Sequence, residues 1–145
     1  MENEILELVK YAKDNANKDA KEIEFGRVSN LQGQKIKSIS GGVETNFYPK
    51  TLSSIQILHA IKGHGNDTEE TKRGQKGLVD SDFEHLPQIV NNPDSLEKAN
   101  NDNLGRPGVL FKKKMKGLTY HVVMTVKQKK NGVGKLDFAT MYIKR

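Results

Sequence analysis

The chain is 145 residues long, carries a net charge of +6 and has no cysteine. One domain of this size buries roughly two thirds of its unfolded surface, enough for a core without staples, and the missing thiols exclude disulfides, thiolate catalysis and thiolate zinc sites. Met1–Glu7 lacks the basic and long apolar regions of a signal peptide, and no apolar run approaches a membrane span, so a soluble chain is expected.

Residues 3–20 place Ile5, Leu8, Val9, Ala12 and Ala16 at helical spacing with charges between them, which predicts an amphipathic helix. Residues 1–24 have a net charge of −3, so this acidic segment is expected to pack or meet a partner, while residues 25–145 form a single α+β domain. Phe25–Val28 and Lys35–Ile39 are weaker strand candidates, with turns at Gly33 and Gly41-Gly42.

Ser53-Ser54-Ile55-Gln56 has the form of a capping box, in which Ser53 accepts from the first turn, and the helix it opens should end at Gly63. Its far end carries His59 and His64. Imidazole is the side chain whose ordinary pKa lies near neutrality, so a histidine pair can give and take protons within one turnover. Five residues turn a helix by about 140°, so the two rings do not share a helical face, and this is not the i, i+4 pair of a helical zinc site. A break at Gly63 would let His64 swing on the following loop toward the cleft that His59 faces. A histidine at a helix end is also a common dipole partner with no chemical role.

Ser81-Asp82-Phe83-Glu84 reads as a second capping box, opening a helix that buries Phe83, Leu86, Ile89 and Val90 and stops at Asn91-Asn92-Pro93. His85 reads as an exposed helix residue. Pro93 to Gly108, polar and rich in Asn and Gly, reads as a loop. The tail reads as an antiparallel meander of Val109–Met115, a turn at Lys116-Gly117, Thr119–Lys127, a second turn, and Leu136–Ile143. Asn131-Gly132 favours a two-residue type I′ turn pairing Lys130 with Val133, a register that sets Val123 opposite Thr140 and His121 opposite Tyr142. One face then carries Tyr120, Val122, Met124, Val126, Ala139, Met141 and Ile143. The other carries Thr119, His121, Thr125 and Lys127 beside Thr140, Tyr142 and Lys144. A slip of one residue would mix the two sets. Residues 111–145 net +9 and residues 25–110 net 0, so all the excess charge lies in this meander, where it would attract phosphate backbones.

The order of Ser54–Gly65 with its two histidines, Arg73-Gly74-Gln75, Asp80–Phe83, Ile89–Asp94 and Ala139–Lys144 resembles the phage-associated nuclease domains grouped with barnase, EndoU, colicin-type and RelE ribonucleases. The resemblance implies helices packed on one face of a C-terminal antiparallel sheet, and an endoribonuclease that attacks through the 2′-hydroxyl to leave a 2′,3′-cyclic phosphate, with no metal and no cofactor. It matches His59 to the first EndoU histidine, and Thr140 and Tyr142 to the late Ser/Thr-x-Tyr pair. Where the second EndoU histidine would follow a glycine, this chain has Arg73-Gly74-Gln75, so His64 or His121 takes that role and Arg73 or Lys113 offsets charge. Lys113, Lys127 and Gln75 are the expected substrate contacts. The same resemblance implies RNA as substrate, an acidic immunity or antitoxin protein as partner, and a toxin, exported or phage-delivered, acting in the cytoplasm. A nucleic-acid binding module without turnover, or a protein-interaction domain docking through the acidic helix, would carry the same composition.

Overall fold

The structure, a computed structural model, describes residues 1–16 and 18–145. It is an α+β arrangement in the expected sense, with helices on one face of a mostly antiparallel sheet. The elements in chain order are α1 (Glu2–Asp14), β1 (Glu22–Arg27), α2 (Asn30–Ile39), β2 (Pro49–Ser53), α3 (Ser54–His64), α4 (Asp67–Lys72), β3 (Gln75–Lys76), a 3-10 turn (Asp80–His85), α5 (Leu86–Asn91), β4 (Ser95–Ala99), β5 (Gly108–Met115), β6 (Leu118–Lys127) and β7 (Lys135–Lys144). The strand order is β1-β2-β7-β6-β5-β4, with β3 pairing the end of β7. Among the described residues only the β2–β7 pair is parallel.

The first helix stops at Asp14, short of the expected Ala20, and Asn17 lies outside the described residues. Asn15 closes it, its backbone N–H and its side-chain Nδ2 both donating to the Tyr11 carbonyl. Ile5, Leu8, Val9 and Ala12 form its buried stripe and join the core. Lys35–Ile39 is not a strand but the second half of α2, which Ser29 caps by accepting the Gln32 N–H. Gly33 makes no turn. It lies inside the helix, where a Cβ would meet the Asn46 side chain at 1.9 Å, so close packing and not flexibility explains the glycine.

The sheet has one apolar face. Tyr120, Val122, Met124 and Val126 on β6 stand with Leu136, Phe138, Met141 and Ile143 on β7, and the core side chains of α1, α3, α5 and the 3-10 turn cover them. The expected register holds from Val123↔Thr140 to Thr119↔Lys144 and then shifts by one, because a bulge at Ala139 separates Val123↔Thr140 from Met124↔Phe138. The extra residue puts Phe138, not Ala139, on the core side, where it meets Phe83 edge-on with centroids 6.1 Å apart. Without the bulge, Phe138 would face the polar side. The type I′ geometry falls at Lys116-Gly117, with φ of 52° and 79°, joining Met115 to Leu118. Asn131 has no positive φ, the Lys130–Val133 pair is absent, and β6 and β7 separate beyond Lys127↔Lys135.

Pro93–Gly108, expected as loop throughout, contains the edge strand β4. The rest is tightened by Asp102, whose carboxylate accepts from the Leu104 and Arg106 backbones and from Arg106 Nε. The strand β2 has no counterpart in the sequence reading, since its core-side run is interrupted by a lysine. Lys50 is 1% exposed, and its ammonium donates to Gln32 Oε1 at 2.6 Å, Asn91 Oδ1 at 2.9 Å and the Val90 carbonyl at 3.0 Å. It thereby ties β2 to α2 and α5. Burial pushes its pKa down to about 8. Between that value and the ordinary value of 10.5 the unfolded chain binds more protons than the folded one, so this group makes stability rise with pH. Wild type should therefore gain up to about 3 kcal/mol relative to Lys50→Met between pH 8 and pH 10.5 in urea unfolding. Parallel curves for the two proteins would contradict it.

Candidate active site

The helix α3 begins as expected: Ser53 accepts the Gln56 N–H at 3.2 Å. It does not break at Gly63. The last helical residue is His64, and Gly65 caps the helix with φ −87°, so His64 is held by the helix end and not by a free loop. The Leu78 N–H donates to the His64 carbonyl at 2.8 Å, fastening the segment that follows β3 to the same point. Ile57 and Ala60 are buried against the sheet side, while His59 is exposed. No hydrogen bond, ion pair or ring contact joins His59 to the other site candidates among the described residues.

The meeting point is Tyr142. β2 pairs with β7 only at Leu136 and Asp137, and β3 only at Ile143 and Lys144, which leaves Thr140 and Tyr142 without a strand neighbour on that side. The end of α3 brings the His64 ring to 5.6 Å from the Tyr142 ring, tilted by 34°. On the adjacent strand, His121 lies opposite Tyr142 and stacks on it at 4.7 Å and 16°. Tyr142 is thus in ring contact with two imidazoles, stacked with His121 and tilted against His64.

Each imidazole has one nitrogen fixed. His64 Nδ1 lies 3.1 Å from Glu70 Oε2, and a carboxylate there accepts, so the proton is on Nδ1. Glu70 is 1% exposed and its other oxygen accepts from Arg73 Nη1 at 3.0 Å. His121 Nδ1 lies 3.2 Å from the Thr119 carbonyl, which also only accepts. Neither Nε2 has a hydrogen-bond partner among the described residues; His64 is partly exposed and His121 is 4% exposed. Burial depresses the His121 pKa below the ordinary histidine value. The Lys144 and Lys112 charges push the same way, against the Thr119 hydrogen bond and the Glu97 charge. His121 is therefore a neutral base at neutral pH.

The lysines sort by strand alternation. Lys112 lies opposite His121, and Lys114 opposite Thr119, itself opposite Lys144, so these three share the His121 face. Lys113 lies opposite Tyr120 on the other face and donates to the Asn92 carbonyl at 2.8 Å, so it points away from the imidazoles it was expected to serve. Lys127 keeps the His121 face but stands six residues along β6, about 20 Å at strand rise, with its ammonium 2.6 Å from Asp137. Arg73 is half exposed and tied to Glu70. Gln75 pairs with Lys144, and its Oε1 is buried without a partner. Thr140 is half-buried two residues from Tyr142 on the same face. His85 is half-buried, edge-on to Tyr120 at 5.4 Å, because Ser81 caps nothing and Asp82 instead accepts the Val79 N–H and the Tyr120 hydroxyl.

Sequence reasoning missed Glu70, whereas Lys144 stands on the polar face as the alternation predicts. The signal for Glu70 was present in Asn66-Asp67-Thr68-Glu69: Asn66 caps α4 by accepting the Glu69 N–H, and the next residue then turns inward beneath His64.

A family model described as phage-Barnase-EndoU-ColicinE5/D-RelE like nuclease3 matches residues 26–145. No curated protein and no solved structure matches the chain. No helix among the described residues is long and apolar enough to cross a membrane.

Proposed function

The chain belongs to the phage-Barnase-EndoU-ColicinE5/D-RelE like nuclease3 family, and on that premise we propose that it is an endoribonuclease using the 2′-hydroxyl of its substrate as nucleophile. The observation that carries this is the placement of two imidazoles on one tyrosine, each with Nδ1 anchored to an acceptor and Nε2 without a hydrogen-bond partner among the described residues. His121 Nε2, neutral at working pH, takes the 2′-hydroxyl proton. His64, protonated on Nε2, donates to the departing 5′-oxygen. The bond from the 2′-oxygen to phosphorus forms as the bond to the 5′-oxygen breaks, leaving a 2′,3′-cyclic phosphate.

Glu70 is a positioning residue: it fixes the His64 tautomer and faces the charge that the ring carries as an acid. Lys112 and Lys144 offset charge on the non-bridging oxygens. The Tyr142 and Thr140 hydroxyls orient the phosphate. The role first assigned to His59 passes to His121, because His121 touches Tyr142 and His59 does not.

Substituting Glu70→Gln keeps the shape and removes the charge, so kcat should fall by about 10- to 100-fold with KM little changed. A rise in KM at constant kcat would point to substrate contact instead. We also propose a toxin role with an acidic immunity protein that docks on the +9 segment from residue 111, as charge complementarity supports.

The test is incubation of purified protein with mixed tRNA and rRNA in the presence of chelator. Products ending in 2′,3′-cyclic phosphate support the proposal. Intact RNA retained on a low-salt gel would favour a binding module, and absence of polyanion affinity a protein-interaction domain.

A further inference from the structure

At one end of the sheet, β1 pairs with β2 and has no strand on its other side among the described residues. The Ser54 N–H donates to the Lys21 carbonyl at 2.8 Å, and hydrogen-bonded pairs alternate along an antiparallel ladder. Ile23 therefore turns its backbone groups toward β2, while Glu22 and Glu24 turn theirs outward. Those outward groups meet no donor or acceptor among the described residues. An unpaired line of this kind is a template for a further strand.

Between this edge and α1 runs a groove of about 350 Å³. Leu8, Tyr11 and Ile23 give it an apolar floor, and Glu4 and Glu7 stand exposed at its rim. No cation lies within ion-pair distance of either carboxylate among the described residues, whereas Glu22 is held by Lys135 at 2.6 Å and Glu24 by Arg27 at 3.5 Å. Lys21, the cation lining the groove, rests on the Tyr11 ring with Nζ 4.2 Å from its centroid. An apolar floor below unpaired carboxylates suits a long cationic side chain, whose methylenes cover the floor while its head reaches the rim. α1 and β1 as far as Phe25 also precede residues 26–145, so the groove lies outside the part of the chain that the nuclease family model matches.

We propose that β1 is a docking edge for an extended basic segment of a partner protein, added as a further strand with lysine or arginine opposite Ile23 and its cationic head on Glu4 and Glu7. Residues 1–24 net −3, which favours a basic segment over an acidic one. A second copy is disfavoured, because β1 paired with β1 about Ile23 sets Glu22 against Glu24. The inference does not depend on the catalytic reading, and its partner is opposite in charge to the immunity protein expected on the basic segment.

The test is titration of the full chain with the peptide acetyl-Thr-Val-Thr-Arg-Thr-Val-Thr-amide, followed by amide NMR. The Glu22 and Glu24 amide signals should shift and saturate, and the double variant Glu4→Gln/Glu7→Gln should bind about three- to tenfold more weakly. The same peptide methylated on its backbone nitrogens, and a version with glutamate in place of arginine, should leave those signals where they are. Unmoved Glu22 and Glu24 signals with the arginine peptide, or equal binding of the methylated one, overturns strand addition. Equal binding of the glutamate peptide, or undiminished binding by the double variant, overturns the cationic side chain. Shifts at β1 that grow with protein concentration alone would put a second copy on this edge and overturn the partner.

Discussion

Asparagine in place of His121 is expected to lower kcat for RNA cleavage by about 10²- to 10⁴-fold, the usual worth of a positioned general base. The reasoning runs from the sheet. Strand β6 places His121 between Lys112 on β5 and Tyr142 on β7, where burial and two flanking cations keep the ring neutral. Its Nδ1–H is committed to the Thr119 carbonyl, so the lone pair is on Nε2. A neutral base with a depressed pKa sets the acid limb of the pH–rate profile below the ordinary histidine value, with activity rising as pH passes upward through it. The Lys144→Met variant removes one of the cations that disfavour the imidazolium, so its acid limb should move to higher pH. An acid limb that stays in place, or a loss under tenfold in His121→Asn, would show that another group takes the proton.

The second large effect concerns the bulge. Replacing Phe138 with alanine should cost about 4 kcal/mol in denaturant unfolding, near the upper range for a buried aromatic ring. Phe138 is fully buried and packs on Phe83. It faces the core only because Ala139 adds an unpaired residue and turns the upstream half of β7 over by one position. The same bulge leaves Thr140 and Tyr142 on the opposite face from Phe138, so one inserted residue serves both core and site. A cost under about 1 kcal/mol would mean that the ring is not the anchor of this packing.

The parts of the molecule that were legible are those set by local rules. Apolar spacing at Ile5, Leu8, Val9 and Ala12 marked α1, and Ser53 marked the start of α3. His121 does lie opposite Tyr142, although the Asn131-Gly132 turn from which that register extends does not form. The family resemblance and the α+β architecture were legible for the same reason, since both live in contiguous motifs.

What stayed hidden depends on distant partners. Lys50 looks unlike a buried strand residue because its three acceptors come from α2 and α5. Asn131-Gly132 carries the strongest turn signal, yet Gly134 packs so close to the Lys127 carbonyl and Tyr48 that a Cβ would meet them at 2.2 and 2.8 Å. The turn expected at Lys116-Gly117, which joins β5 to β6, does form. Glu70, six residues from the ring it orients, was hidden for a different reason: its only local signal was the Asn66 cap. His59 carried the motif by sequence order alone, while the fold delivered His121 to the tyrosine.

The most direct test of the central claim compares an RNA strand with its fully 2′-deoxy counterpart of identical sequence, both incubated with the protein under chelator. If His121 and His64 move protons to and from a 2′-hydroxyl attack, the RNA is cut to ends bearing a 2′,3′-cyclic phosphate and the deoxy strand stays intact. Cleavage of both strands at comparable rates, or RNA ends without the cyclic phosphate, would contradict the account.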